Sequence, residues 1–328
     1  MIGIPRIAGD GGDVVRVRAI DTTTNMVYGH QHLTLKTFCF LIEHERLGRK
    51  VLFDCGARKD LQVDIGAGVD ILLQDANIPL DSIDTIIRSH WHWDHIGDCS
   101  KFPLGTKIVV SPRFKDAFSA GYPNDPECPF PVSNLESHEI DEVTFDGAPQ
   151  IQGIRAHDFF VEQHAVGHIG ALCRTTPTTY ILLGGIPATS WEPCAQAKLI
   201  AYRVRFLIIQ HCASDIQERV RAAKWTKSTS LKVHHRPFYR ISDSESSIFN
   251  NAKVAQSTVE YLQALDARPD IRICFAHDNS LAEVAPLLNT KPQEDLNSWQ
   301  ANGLKDKSMW IFLKDLWLCV RECADNRY

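Results

Sequence analysis

The segment that most constrains this chain is residues 89–95, which contain one serine, three histidines, two tryptophans and one aspartate. Four side chains of metal-binding type fall within six consecutive positions of it. The apolar run at residues 83–88 predicts a strand, so the segment lies on a loop at the carboxyl end of that strand. Layered α/β proteins commonly place their sites at such edges. The alternative is a polar surface loop whose histidines bind nothing, but the density of ligand-type residues favours a metal site.

The spacing within this segment predicts which side chains converge. Side chains alternate between the two faces of an extended chain, so His90, His92 and Asp94 are predicted to project together, opposite the two tryptophans. If the chain turns into a helix at His95, that imidazole is directed towards a second metal nearby. Neutral imidazole and carboxylate groups suit zinc, and a catalytic zinc keeps one position for water. The segment therefore predicts a catalytic zinc centre, with the tryptophans packed beneath the loop.

Composition and charge narrow the class of protein. Of the 328 residues, 44% are apolar and 23% are charged, as in globular chains that bury a sizeable core. The net charge of −5 and the scattered basic residues argue against nucleic acid as a partner. Because neither a signal peptide nor a run of about 18 apolar residues is evident, we expect a soluble, cytoplasmic protein with no membrane partner. The ten cysteines include no CxxC pair, and several lie in apolar runs that predict reduced core thiols.

The hydrophobic pattern predicts an α/β chain with strands before and after helices in both halves. Strands are predicted at residues 14–20, 37–42, 50–55, 83–88, 107–111, 151–156, 170–174, 179–183 and 271–275. Helices are predicted at residues 60–76 and 254–265, and a further helix is predicted to run to Leu288 with Ser280 as its N-cap. No repeat, low-complexity tract or Gly/Ser linker marks a boundary, so residues 1–328 are predicted to form a single domain.

Several motifs besides the metal run make the sequence resemble the metallo-β-lactamase superfamily, most closely the branch that contains the N-acyl-homoserine lactonases. These motifs are Ile20-Asp21-Thr22, Leu41-Ile42-Glu43-His44, Leu52-Phe53-Asp54-Cys55-Gly56, and Arg174-Thr175-Thr176 leading to Leu182-Leu183-Gly184-Gly185. The resemblance spans most of the chain. It implies an αββα sandwich with a dizinc site at one edge.

The resemblance also implies a set of metal ligands. The first zinc would be bound by His90, His92 and His168, and the second by Asp94, His95 and His277. His168 is chosen because it ends the segment from His164 to His168, which resembles the second family motif. His277 is chosen because it follows the predicted strand at residues 271–275, as the last family ligand does. Asp54 matches an aspartate that supports the site from behind, where it would orient metal-bound imidazoles.

Position 186 departs from the family pattern. The family has an aspartate there that bridges the two metals, whereas this chain has Ile186, which cannot bind a metal. The stretch at about residues 186–210 also resembles nothing in the family. It is either a natural insertion with an amphipathic helix or untranslated sequence retained in a gene model. Glu192 and Asp215 are the nearest downstream acids, but their spacing places neither at the bridge. Loss of the shared carboxylate favours one bound metal over two.

Together these observations predict a zinc-dependent hydrolase that attacks a small-molecule lactone or related carboxylic ester with metal-activated water. Asp94 would orient the water and shuttle its proton. The superfamily fold leaves alternatives open, because it supports several chemistries. These are a catalytically impaired member lacking the bridging acid, a thioesterase or other superfamily hydrolase, a nuclease or phosphodiesterase, and a non-haem iron oxygenase. The acidic balance of the chain disfavours the nuclease.

Overall fold

The computed structural model describes residues 13–28, 31–58, 66–126, 128, 130–144, 150–151, 154–155, 169–185, 262–309 and 311. The strands in this part of the chain are β1 Arg16–Asp21, β2 Thr24–Tyr28, β3 Gln31–Leu35, β4 Phe38–His44, β5 Arg49–Phe53, β6 Thr85–Ile87, β7 Lys107–Val110, β8 Ile140–Glu142, β9 Gln150–Ile151, β10 Ile154–Arg155, β11 Gly170–Thr176, β12 Thr179–Gly184 and β13 Ile271–Phe275. The α-helices are α1 Val69–Asp75, α2 Trp93–Ile96, α3 Phe114–Phe118, α4 Val132–Glu136, α5 Asn279–Val284 and α6 Leu304–Ser308.

Most strands belong to two sheets. The larger sheet has six strands in the order β1-β4-β5-β6-β7-β8, and the smaller has three in the order β11-β12-β13. The first three strands of the larger sheet are antiparallel, and the following strands are parallel. The carboxyl ends of β5 and β6 therefore meet at one edge of the larger sheet, and the metal run begins there.

Alternation along β4 explains how the larger sheet is covered on both faces. Phe38, Phe40 and Ile42 point into a core that also contains residues of β12 and β13, so the two sheets pack face to face. Cys39 and Leu41 point the other way, into a core that includes α1. A strand buried on both faces carries apolar residues at nearly every position, which is the pattern observed here.

A helical segment covers the outer face of the smaller sheet. Residues 262–266 are helical, and Leu265 packs there against Ile271 and Ile273 of β13. The layers are therefore helix, sheet, sheet and helix, and the predicted αββα sandwich is confirmed. No helix among the described residues is long and apolar enough to cross a membrane.

Several predicted elements differ from the observed ones at their ends. The helix near Ser280 begins at Asn279 and ends at Val284, and its N-cap is Asp278, whose side chain accepts a hydrogen bond from the Ser280 amide. The prediction of Ser280 as the cap was therefore wrong, because the aspartate two positions earlier takes that role. Most of the predicted helix at residues 254–265 and the whole segment at 186–210 lie outside the described residues, and the single domain stays a prediction. All six cysteines within the described part of the chain are buried and none of them is in a disulfide, as expected for core thiols.

Candidate metal centre

The metal run begins as an extended chain and turns into a helix earlier than predicted. His92 has extended backbone angles and caps α2, which begins at Trp93. The amides of Cys55 and Arg58 donate to carbonyls of this helical turn, at 2.8 Å and 3.0 Å. Asp94 consequently lies in the helix and does not continue the extended face of the two preceding histidines. The turn aims it, together with the following histidine, towards the end of β13.

Asp94, His95 and His277 form a buried cluster at this edge. The Nε2 atoms of the two imidazoles lie 3.1 Å apart. Asp94 Oδ2 lies 3.2 Å from His277 Nε2 and 3.6 Å from His95 Nε2. These three residues are the set within the described part of the chain whose ligand atoms are close enough to bind one ion.

The dimensions of this cluster fit a tetrahedral zinc. Ligand atoms about 2.0 to 2.2 Å from a tetrahedral zinc lie roughly 3.3 to 3.6 Å from one another. The three separations of 3.1, 3.2 and 3.6 Å are close to that range. A small shift of the side chains would therefore place all three around one ion.

Hydrogen bonds on the far side of each imidazole add a chemical reason for a cation. His277 Nδ1 lies 2.7 Å from the carbonyl oxygen of Lys36, which can only accept, so Nδ1 carries the proton. His95 Nδ1 likewise lies 2.8 Å from a carboxylate oxygen of Asp54. In neutral imidazoles both Nε2 atoms are then lone pairs that face each other and the Asp94 carboxylate. Three acceptors at this distance require a proton or a metal ion between them.

The pKa shifts in the cluster also arise from the close approach of its carboxylates and imidazoles. Burial lowers the pKa of His95, but the carboxylates of Asp94 and Asp54 outweigh this effect and raise it above its usual value. Burial raises the pKa of Asp94, but the charges and hydrogen bonding of His95 and His277 hold it well below its usual range. The pocket thus favours a carboxylate beside a positive charge, which a divalent ion supplies more strongly than one proton.

Asp54 supports the cluster from the end of β5. It is fully buried, and its φ of 62° is in the left-handed region, which aspartate tolerates better than most residues. Its Oδ1 accepts from the Ser89 amide at 2.7 Å, and its Oδ2 accepts from the Ser89 hydroxyl at 2.8 Å and from His95. One carboxylate therefore orients both the start of the metal run and one histidine within it.

His90 and His92 form a second pair beside the cluster. His90 Nε2 lies 2.9 Å from His92 Nδ1, and the rings of His90 and His95 are 4.1 Å apart. Because the Ser89 hydroxyl donates to Asp54, it accepts from His90 Nδ1 at 2.9 Å, which leaves His90 Nε2 as a lone pair. Burial lowers the pKa of His92 to about 4, so this imidazole is neutral near pH 7 and able to bind a metal.

Two positions of the predicted site are outside the part of the chain that the structure describes. His168 and Ile186 lie outside the described residues, so the third ligand of the first zinc and the fate of the bridging position stay predictions. Gly185, immediately before the bridging position, packs against Ser89 and His90. A Cβ added to it would be 2.5 Å from Ser89 Oγ and 2.8 Å from His90 Nδ1. The structure thus brings together five of the six predicted ligands, and their assignment as ligands stays a prediction.

Two supporting groups were missed by the sequence reasoning. Ser89 lies within the metal run, and a hydroxyl directly before the first histidine is a signal that was available. The Lys36 carbonyl carries no such signal, because it is a backbone group 241 positions away from His277 in the chain. Trp91 also links the loop to α3, since the centres of its ring and of the Phe118 ring are 6.0 Å apart.

Comparison with known proteins gives the site its family context. A model of the metallo-beta-lactamase superfamily matches residues 34–125, which include β4 to β7 and the metal run. The chain is 27% identical over 363 aligned positions to the metallo-hydrolase mfmC of Annulohypoxylon moriforme, covering 96% of this chain and 89% of that protein. It is 33% identical over 164 positions to the gamma-lactamase MBL2 of Gibberella moniliformis, covering 41% of this chain and 69% of that protein.

Two further matches differ in coverage. The chain is 30% identical over 332 positions to the cytochrome P450 monooxygenase mpaDE of Penicillium roqueforti, covering 88% of this chain, but it spans only 34% of that longer protein. A crystal structure of a quorum-quenching N-acyl homoserine lactone lactonase matches 85% of this chain and 98% of its own, with 16% identity and a TM-score of 0.48.

The class of protein follows from the sandwich, the histidine-rich edge and the matches to the family model and to MBL2. The chain belongs to the metallo-β-lactamase superfamily. Within that superfamily it is a metal-dependent hydrolase.

Proposed function

We propose that this chain is a zinc-dependent hydrolase that opens a small-molecule lactone or cleaves a related carboxylic ester. The observation that carries the proposal is the meeting of three proton-accepting atoms, from Asp94, His95 and His277, in a buried cluster. The choice of a lactone or ester rests on the resemblance of the sequence motifs to the N-acyl-homoserine lactonase branch.

The residues of the chain have distinct roles in this proposal. Asp94, His95 and His277 would hold one zinc, and His90 and His92 would hold another together with the predicted ligand His168. A bound zinc lowers the pKa of a water molecule to about 7 and polarises a substrate carbonyl. The Asp54 carboxylate and the Lys36 carbonyl keep the imidazole lone pairs directed inward.

Asp94 is also the proposed proton shuttle. Its low pKa keeps it ionised near neutral pH, so it can accept a hydrogen bond from an attacking water. Among the described residues its Oδ2 makes both ion-pair contacts, which leaves the other oxygen to orient that water. The proton would pass from the water to this carboxylate and then to the leaving oxygen of the opened ester.

Hydrolysis by metal-stripped and zinc-restored protein tests the proposal. We expect turnover of an acyl homoserine lactone that is lost with a chelator and restored by zinc. An open-chain ester with the same acyl group serves as the comparison substrate. Zinc binding without turnover of either substrate would favour the catalytically impaired alternative, and absence of zinc binding would overturn the proposal.

A γ-lactam is the second candidate substrate. Two relatives carry the name gamma-lactamase, MBL2 and the protein FDB1 of Fusarium pseudograminearum, to which this chain is 27% identical over 357 positions. The same site would attack a ring amide, whose nitrogen needs a proton as it leaves. Including a γ-lactam in the substrate panel decides between the two, because the faster substrate identifies the bond for which the site is built.

The number of metals is a separate part of the proposal. Ile186 offers no carboxylate at the position where the family bridges its two ions, and it follows a glycine packed on His90. Two dications without a shared anion repel each other more strongly, so one metal should predominate. We expect Ile186→Asp to raise the zinc stoichiometry towards two, and Ile186→Asn to leave it unchanged.

The stretch after position 186 calls for a second version of this experiment. Deleting residues 187–210 together with Ile186→Asp restores the family spacing. If this double variant folds, yet binds no more zinc and hydrolyses no lactone faster than the parent, the interpretation of position 186 is wrong.

A further inference from the structure

A buried positive charge lies directly beneath the metal run. Arg88 follows β6 and is only 1% exposed. Its Nη2 donates to Cys99 Sγ at 3.0 Å, and its guanidinium lies 5.0 Å from the centre of the Phe130 ring. Its Nε and Nη1 have no hydrogen-bond partner among the described residues.

Among the described residues, Arg88 has no carboxylate as a counter-charge. A guanidinium stays protonated in proteins, and burying it without an anion is strongly unfavourable. In the part of the chain that the structure describes, no carboxylate makes a salt bridge with Arg88. The acidic group that does touch Arg88 is the thiol of Cys99.

The surroundings of Cys99 favour its ionised form. The titratable groups that face it are Cys55, Arg88 and His138. A hydrogen bond from Cys55, then the charge and hydrogen bond of Arg88, lower the pKa of Cys99 to about 6 against the opposing effect of burial. The Cys55 thiol remains protonated, because its hydrogen bond to Cys99 and its burial raise its own pKa.

The position of the pair gives it a consequence for the site. Arg88 directly precedes Ser89 and His90, and Cys99 begins the 3₁₀ turn three residues after α2 ends. The contact therefore joins the two ends of the segment that carries His90, His92, Asp94 and His95. Gly97 in the same segment is pressed against Cys55, where an added Cβ would lie 2.2 Å from the carbonyl oxygen, so the segment has little room to move.

We propose that Cys99 is a thiolate that forms a buried ion pair with Arg88, and that this pair positions the metal run by closing its two ends. The thiol proton leaves to solvent as the pair forms. Cys99 is a positioning residue in this proposal, since within the described part of the chain its thiol sulfur contacts Arg88 and the Ile96 carbonyl and makes no hydrogen bond with a predicted ligand. The positioning role rests on the proposed function, whereas the ion pair does not.

Ultraviolet thiolate absorbance of the 328-residue chain as purified tests the ion pair. We expect a thiolate contribution from Cys99 at pH 7 that disappears as the pH falls through about 6. Cys99→Ser should abolish it. Cys173→Ser should leave it unchanged, because burial raises the pKa of that core thiol to about 12. A parent chain without this absorbance at pH 7, or one whose absorbance survives Cys99→Ser, would overturn the ion pair.

Zinc affinity, measured by chelator competition, tests the positioning role. We expect Cys99→Ser to weaken zinc binding by about tenfold, which is the lower end of the roughly 10 to 100-fold loss of affinity seen when a group that supports a metal ligand is removed. Cys99→Asp should restore most of the affinity because it returns an anion to Arg88, and Cys173→Ser should have no effect. Equal affinities for the parent and Cys99→Ser would overturn the positioning role. A parent that shows the thiolate but binds no zinc would instead refute the proposed function.

Discussion

Replacing Asp54 by asparagine removes one charge from beneath the metal centre with little change in shape. Asparagine tolerates the left-handed backbone at this position, where φ is 62°, so the backbone need not move. The carboxylate accepts three hydrogen bonds, one at Oδ1 from the Ser89 amide and two at Oδ2, from the Ser89 hydroxyl and His95 Nδ1. The substitution therefore isolates the electrostatic and hydrogen-bonding role of this side chain.

The size of the effect follows from these three donors. An asparagine has one oxygen, so its amide nitrogen must face either the Ser89 amide or the two donors at the other oxygen. The first orientation costs less, but it breaks one buried bond and makes the other two neutral. Because a buried hydrogen bond to a charged group contributes about 1.5–3 kcal/mol, we expect at least about 2 kcal/mol of lost stability. The weakened support of His95 should also reduce zinc affinity by about 10 to 100-fold.

Thermal unfolding and chelator competition measure the two effects separately. At about 1.5 °C per kcal/mol for a chain of 328 residues, the melting temperature of the metal-free chain should fall by about 3 °C. Asp84→Asn is the matched control, because Asp84 lies before β6, at the opposite end of that strand from the site, and its side chain is 35% exposed. If Asp54→Asn binds zinc as tightly as the parent and the control, Asp54 does not orient a ligand and the assignment of His95 loses its main support.

Three further predictions concern the same region. His92→Ala should lower zinc affinity by at least about tenfold at the site that His90 and His92 would form, because removing a ligand costs more affinity than removing a group that supports one; unchanged zinc binding would exclude His92 as a ligand. Gly185→Ala should weaken zinc binding and hydrolysis, since its methyl group would lie 2.5 Å from Ser89 Oγ, whereas Gly105→Ala, with nothing within 4 Å, should behave as the parent. The difference in free energy of unfolding between the parent and Cys99→Ser should reach its full size above pH 9, the ordinary pKa of a cysteine thiol. It should disappear as the pH falls through about 6, because the lowered pKa of Cys99 stabilises the folded chain only while the thiol is ionised. Denaturant unfolding at several pH values would show this, and a difference that is constant with pH would rule it out.

The sequence alone determined the local features of this protein. Residues 271–275 were predicted as a strand and form β13 with the same ends. The apolar residues of β4 predicted a buried strand, and the dense metal-type residues after β6 predicted the edge where the site forms. These features are encoded by neighbours in the chain, because side-chain alternation and ligand spacing depend only on local backbone geometry. Family resemblance then supplied the layer order, which local patterns do not contain.

Tertiary structure decided how the pieces of the site meet. The helix that begins at Trp93 turns Asp94 away from the line of His90 and His92, because backbone carbonyls of the run accept from the segment after β5. His277 reaches His95 across 182 positions of sequence, and the Lys36 carbonyl fixes its tautomer from the connection between β3 and β4. Such contacts depend on the register of the strands and on the packing of one sheet against the other. No local pattern encodes them, so the sequence could name candidate ligands, whereas only the fold could show which lone pairs face one another.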